Sequence, residues 1–221
     1  MSTNSADHDS AIGAPQVRRG RGRPRDLKKR EAILAAASAL FFERGVVATT
    51  MDSVAERATV SKMTVYAHFA DKPALLAAVF ERTTKRFHLP ELASGEDLKS
   101  SVEHLNDFGE RLVAFLTRRE TIKVAKMMAE SADQYPDLAA AFYAAGPATM
   151  LAKVAGFLRS LHEHGLLQID NPELAAEQLI ASWLGFCQLQ QSLGIANPPS
   201  KEAISKRVRL ATQGMMRAWA P

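Results

Sequence analysis

Apolar residues recur along most of this chain with a helical period. After residue 26, Ile33, Ala37, Leu40 and Phe41 fall on one face of a first helix that starts near Asp26 or Leu27, with Gly45 as its stop. Thr50 is placed to cap a second, short helix, Ser61 a third ending near Phe69, and Asp71 a fourth. The fourth carries Leu75, Leu76, Val79 and Phe80 in one stripe and tolerates Pro73 in its first turn. No glycine occurs between Gly45 and Gly95, so polar caps alone punctuate this block. Further helices are expected over about Leu98 to Arg118, Glu120 to Asp133, from Pro136 onward, from Asn171 to near Gly194, and from Ser200 to about Ala218. Gly146-Pro147 is expected to break or kink the helix that Pro136 opens. No alternation of the strand type exceeds four residues and no repeat is visible, so the fold class is all-α, with nine or ten helices.

Composition agrees with this pattern. Of 221 residues, 47% are hydrophobic and 24% charged, enough to bury a sizeable core. Cys187 is the single cysteine, which excludes an intramolecular disulfide and favours a reducing compartment, most simply the cytosol. The first 16 residues lack the apolar run of a secretion signal. The longest stretch without Asp, Glu, Lys or Arg, Gln178 to Ser200, is too rich in Gln, Ser and Asn for a membrane span.

Charge adds a division. Residues 1–86 hold 15 basic and 9 acidic side chains, a net of +6, and the remainder nets −2. The first portion suits a polyanion and the second does not. Residues 1–17 read as a disordered tail. RRGRGRPR, residues 18–25, reads as a non-helical cationic arm, because Gly20, Gly22 and Pro24 interrupt every turn. Arginines on such an arm fit the narrow minor groove of A·T-rich DNA. The expected organisation is a tail and arm over 1–25, a DNA-binding unit over 26–88, and a second helical unit over 89–221.

The short second and third helices, joined at Thr59-Val60, form a helix-turn-helix candidate. Val54, Ala55, Val60, Val65 and Phe69 take its inward positions. That leaves Lys62, Met63, Thr64, Tyr66, Ala67 and His68 outside, a face suited to phosphates and base edges. The segment TTMDSVAERATVSKMTVYAHFADKPALL, Thr49 to Leu76, resembles the N-terminal region of TetR-family transcriptional regulators over about Asp26 to Phe80. By that resemblance Thr64, Tyr66, His68 and Lys72 contact DNA phosphates, and Lys62 and Met63 lie nearest the bases. The family's pattern has glycine where this chain has Thr59 and Met63; Met63 is suited to a thymine methyl. The DNA-contacting set is therefore Arg18, Arg19, Arg21, Arg23, Arg25, Thr50, Ser61, Lys62, Met63, Thr64, Tyr66, His68 and Lys72.

The later segments ADQYPDLAAAFYAAGP and IDNPELAAEQL resemble the AcrR/AefR-like branch of the same family, which implies effector binding and dimerisation there. Two apolar helices near the C-terminus are expected to pair with their copies in a four-helix interface through Trp183, Phe186, Val208 and Met215. A pocket for a small apolar ligand is sought among Phe108, Phe115, Met127, Met128, Phe142, Tyr143 and Met150, with Tyr143 or a glutamine as its polar handle. His162 and His164 point to different helix faces, and no catalytic or phosphate-loop signature occurs, so neither metal, cofactor nor enzymatic activity is expected. The partners implied are a palindromic double-stranded operator, a second copy of the chain and a small apolar molecule, without a membrane. The alternative is an architectural protein that binds A·T-rich DNA through its arm alone.

Overall fold

The computed structural model describes residues 23–93, 95 and 97–221, and all its regular elements are helical. The arm residues Arg18, Arg19 and Arg21 and the tail lie outside the described residues. The elements are α1 (Arg23–Arg44), α2 (Met51–Arg57), α3 (Lys62–His68), α4 (Lys72–Thr84), α5 (Leu98–Leu116), α6 (Arg119–Glu130), α7 (Pro136–Tyr143), a π turn (Ala144–Ala148), α8 (Thr149–Glu163), α9 (Pro172–Leu184), α10 (Cys187–Ser192) and α11 (Lys201–Ala218). Because α7, the π turn and α8 run on as one rod, Pro136–Glu163, the chain has ten helical rods among the described residues.

Three boundaries differ from the sequence reading. The first helix begins at Arg23, inside the segment expected to be non-helical. Pro24 then falls in the opening turn, where its missing N–H costs nothing, and Asp26 favours the positive end of the helix. Gly146-Pro147 does not break its helix. The backbone widens into the π turn, which accommodates Pro147, and the Thr149 hydroxyl donates to the Ala144 carbonyl at 3.0 Å. The uncharged helix does break, at Gly185, rather than run on to Gly194. Gly185 has φ 50° and ψ −136°, and Arg207 Nη1 lies 2.5 Å from where a Cβ would stand.

Helices α1 to α4 bury Ile33, Leu34, Leu40, Val54, Val65, Leu75 and Leu76 in one cluster. Val124 and Met128 of α6 and Leu138 of α7 complete that cluster, so the first four helices take part of their floor from the following unit. The second cluster packs α5, α8, α9 and α11 around Phe108, Leu158 and Trp183. At Pro136–Glu163 the rod is long and apolar enough to cross a membrane by length and composition, but α4 and α9 pack along it here.

Candidate nucleic-acid interface and ligand cavity

The helix-turn-helix is built from local caps. Ser53 N–H donates to Thr50 Oγ1 and Thr50 N–H to Ser53 Oγ, both at 3.1 Å, a reciprocal box that starts α2. Thr64 N–H donates to Ser61 Oγ at 3.2 Å and starts α3. The hydroxyls of Ser61 and Thr64 lie 2.9 Å apart. Each cap satisfies a backbone donor that would otherwise be orphaned, which is why segments this short remain helical.

The outward face of α3 carries Met63, 77% exposed, and Tyr66, 43% exposed. Lys62 is exposed but not free. Its ammonium lies 2.9 Å from Asp52 Oδ1 and 3.0 Å from Asp52 Oδ2 on α2, and 6.0 Å from the Tyr66 ring centroid. The hydrogen bond to Asp52 raises the Lys62 pKa above the ordinary lysine value. Asp52 thus orients the Lys62 ammonium, a pairing across the turn that spacing alone does not reveal.

His68 is a correction. It does not point outward with Tyr66: its side chain is 11% exposed and Nε2 lies 3.1 Å from Asp26 Oδ1 on α1. Lys72 likewise turns inward. Its ammonium donates to the carbonyls of Val47 at 2.9 Å and Thr49 at 3.2 Å, and burial lowers its pKa. It pins the loop that feeds α2. The side chains of Arg23 and Arg25 are outside the described residues, although their backbone is part of α1.

Helix α4 connects this surface to a cavity of about 490 Å³. Phe80, Thr83 and Thr84 of α4 line it, with Phe87 just beyond, facing residues from α5, α6, the π-containing rod and α9. Phe80 meets Phe142 edge to face, with centroids 4.9 Å apart. At the far end of α4, Lys153 of α8 donates to the carbonyls of Thr84, at 2.9 Å, and Phe87. One rigid helix therefore holds the loop before α2 at its start and forms a cavity wall at its end.

Of the seven residues expected in a pocket, Phe115, Phe142, Tyr143 and Met150 line this cavity. Phe108 is fully buried in the second core cluster, and Met128 belongs to the first. Met127 packs on Gly45, which has φ 89°; the Met127 methyl occupies the space a Cβ would need. The contributions of α4 were missed, although its stripe of Leu75, Leu76, Val79 and Phe80 continues at helical spacing to Thr83 and Phe87.

The expected interface residues also separate. Trp183 is fully buried and its indole N–H donates to Thr212 Oγ1 at 2.9 Å. Val208 is fully buried beside it, so both are protomer core and not interface. Met215 is half-buried against the same cluster. Phe186 alone of the four is an exposed apolar surface, 74% open.

Comparison with known proteins agrees with both halves of this architecture. Residues 103–221 match the family model described as AefR-like transcriptional repressor, C-terminal domain, and residues 33–79 match that of bacterial regulatory proteins, tetR family. The chain belongs to the TetR family. It is 39% identical over 109 residues to the uncharacterized HTH-type transcriptional regulator YdeS of Bacillus subtilis, an alignment covering 49% of this chain and 52% of that protein. The aligned part thus spans about half of that relative's length. A TetR-family regulator from Mesorhizobium loti superposes with a TM-score of 0.71 at 28% identity, covering 89% of this chain and 99% of that one. The flavonoid-responsive regulator FrrA superposes with a TM-score of 0.68 at 31% identity, covering 88% and 98%.

This TetR-family chain is a DNA-binding transcriptional regulator. Its turn carries a departure with a measurable cost. Thr59, where the family pattern has glycine, adopts φ 55°, a left-handed conformation that is strained for a β-branched residue. Thr59→Gly is expected to stabilise the chain by about 1 kcal/mol, raising the Tm by about 2–4 °C. A thermal melt checks this; an unchanged or lower Tm would show that the strain is no larger than the entropy glycine adds to the unfolded chain.

Proposed function

We propose that the protein is a homodimeric repressor that leaves a palindromic operator when a small, largely apolar effector enters the α4-lined cavity. The observation that carries this reading is that α4 is shared: Lys72 at its start holds the loop before α2, and Phe80 and Thr84 near its end line the cavity. A ligand that prefers one position of α4 shifts the separation of two recognition helices away from the roughly 34–36 Å that one DNA turn requires. The expected coupling is about 1–3 kcal/mol and is reciprocal between ligand and DNA. The AefR-like repressor model supports the sign of the response, and the flavonoid response in FrrA's name supports an aromatic effector.

Dimerisation rests on an exposed apolar strip just past the α9 break. Phe186 (74%), Leu189 (54%), Leu193 (65%) and Ile195 (72%) are all open within ten residues of chain. A second copy is the occupant assigned to it, because two recognition helices need two protomers.

On the DNA, Met63 and Lys62 read base edges, while Tyr66, Thr64, Thr50 and Ser61 sit at the phosphates. Lys72 and His68 act through the loop and α1 that they hold. Operator selection from a random library with the purified chain tests this. Recovery of a palindrome whose preferred bases change in Met63→Ala supports it; recovery of A·T-rich sequence without a motif favours the architectural alternative. Adding the neutral aromatic N-phenyl-1-naphthylamine to the operator complex tests release, and tighter binding in place of release overturns the release reading. The arm is tested by removing residues 1–22. The slope of log K against log salt is expected to become shallower by about 0.9 for each phosphate that the arm no longer neutralises. An unchanged slope would show that the arm does not touch DNA.

A further inference from the structure

Glu177 is out of character with its position. On α9, Glu177, Ile180, Ala181 and Leu184 fall at i, i+3, i+4 and i+7, and all four line the cavity. Three are apolar, as that wall requires, and the fourth is a carboxylate. One turn earlier, Glu173 is ion-paired with Arg159. Glu177 has no hydrogen bond or ion pair among the described residues, and it is exposed, which places it at the mouth of the cavity. No Lys, Arg or His lines the cavity among the described residues; the Lys153 ammonium, which is bonded to the carbonyls of Thr84 and Phe87, lines a separate groove with His88 and Glu91. The Arg118 guanidinium sits 5.9 Å from the Phe115 ring centroid, but its side chain lines a separate groove with Asp107 and Glu110.

The wall therefore carries one formal negative charge. It also presents the aromatic rings of Phe80, Phe87, Phe115, Phe142 and Tyr143. Ring faces attract cations through their quadrupole and repel anions. An anion entering this space would lose hydration and meet a like charge, whereas a cation exchanges water for a carboxylate and aromatic side chains. We propose that the cavity selects an aromatic monocation, its charge held by the Glu177 carboxylate at the mouth and its rings buried among the phenylalanines. This rests on reading the cavity as the effector site, and it narrows the effector from apolar molecules in general to organic cations.

The test uses two ions of nearly identical shape and opposite charge, tetraphenylphosphonium and tetraphenylborate, each competing against the neutral fluorophore N-phenyl-1-naphthylamine. The proteins are the full chain, Glu177→Gln, and Ala125→Trp, which fills the cavity from α6. The full chain is expected to bind the phosphonium about tenfold more tightly than the borate. Glu177→Gln, a surface change that spares the fold, should bring the two within about twofold. Ala125→Trp should abolish displaceable fluorophore binding. If the fluorophore binds in the cavity but the two ions compete equally in the full chain, the charge selection is wrong and the cavity reading stands. A phosphonium preference that survives Glu177→Gln, or phosphonium binding that survives Ala125→Trp, also overturns the assignment. If none of the three probes binds, the cavity reading falls with it.

Discussion

Phe186→Asp is expected to yield a folded monomer. Phe186 is 74% exposed, so its ring contributes little to the protomer's own core, and the substitution should move the Tm by only a degree or two. In the proposed dimer the same ring is buried against a second copy. An unpaired carboxylate there costs several kcal/mol, enough to weaken association by a hundredfold or more. Operator affinity should fall with it, because one recognition helix then binds one half-site. Sedimentation velocity at micromolar concentration reads the first effect and an operator titration the second. A Phe186→Asp protein that remains dimeric and binds its operator normally would place the interface elsewhere.

Trp183→Ala is expected to do the reverse, although the two positions are three residues apart. Trp183 is fully buried, packs with Phe108 at a centroid distance of 6.4 Å, and donates to Thr212. Its removal opens a cavity and leaves the Thr212 hydroxyl buried without that donor, for a loss of about 3–5 kcal/mol. For a chain of this size that lowers the Tm by about 10 °C or more. Whatever protein stays folded should still dimerise through Phe186. If Trp183→Ala dissociates a dimer while leaving protomer stability intact, then Trp183 is an interface residue after all.

This pair shows where sequence reasoning stopped. A helical wheel carried from Asn171 to Gly194 keeps Trp183 and Phe186 on one side. Gly185 ends α9 between them, at a positive φ with Arg207 packed over its open face, and the chain leaves in a new direction. That break requires knowing where α11 lies. His68 failed for a related reason. Its place beside Tyr66 says that it faces outward, and only the packing of α1 brings Asp26 within 3.1 Å of it. Only part of the cavity was legible: Phe142, Tyr143 and Met150 share the rod from Pro136, and Phe115 lies on α5. The wall from α4 and the carboxylate of Glu177 were not, because a cavity is defined by which helices face one another.

By itself, the sequence determined what depends on neighbours within a turn or two. The caps at Thr50, Ser61 and Asp71, the short helices they start, the apolar stripes and the basic N-terminal third are local chemistry, and the helix-turn-helix follows from them. Tertiary structure decided which side of each stripe meets what. It placed Lys72 on carbonyls 23 and 25 residues upstream, tied Lys62 to Asp52, closed the cavity with α4, and sent Trp183 inward and Phe186 out. Periodicity measures how apolar a face is, but the partner of that face is set by the packing of helices distant in sequence, which no single window contains.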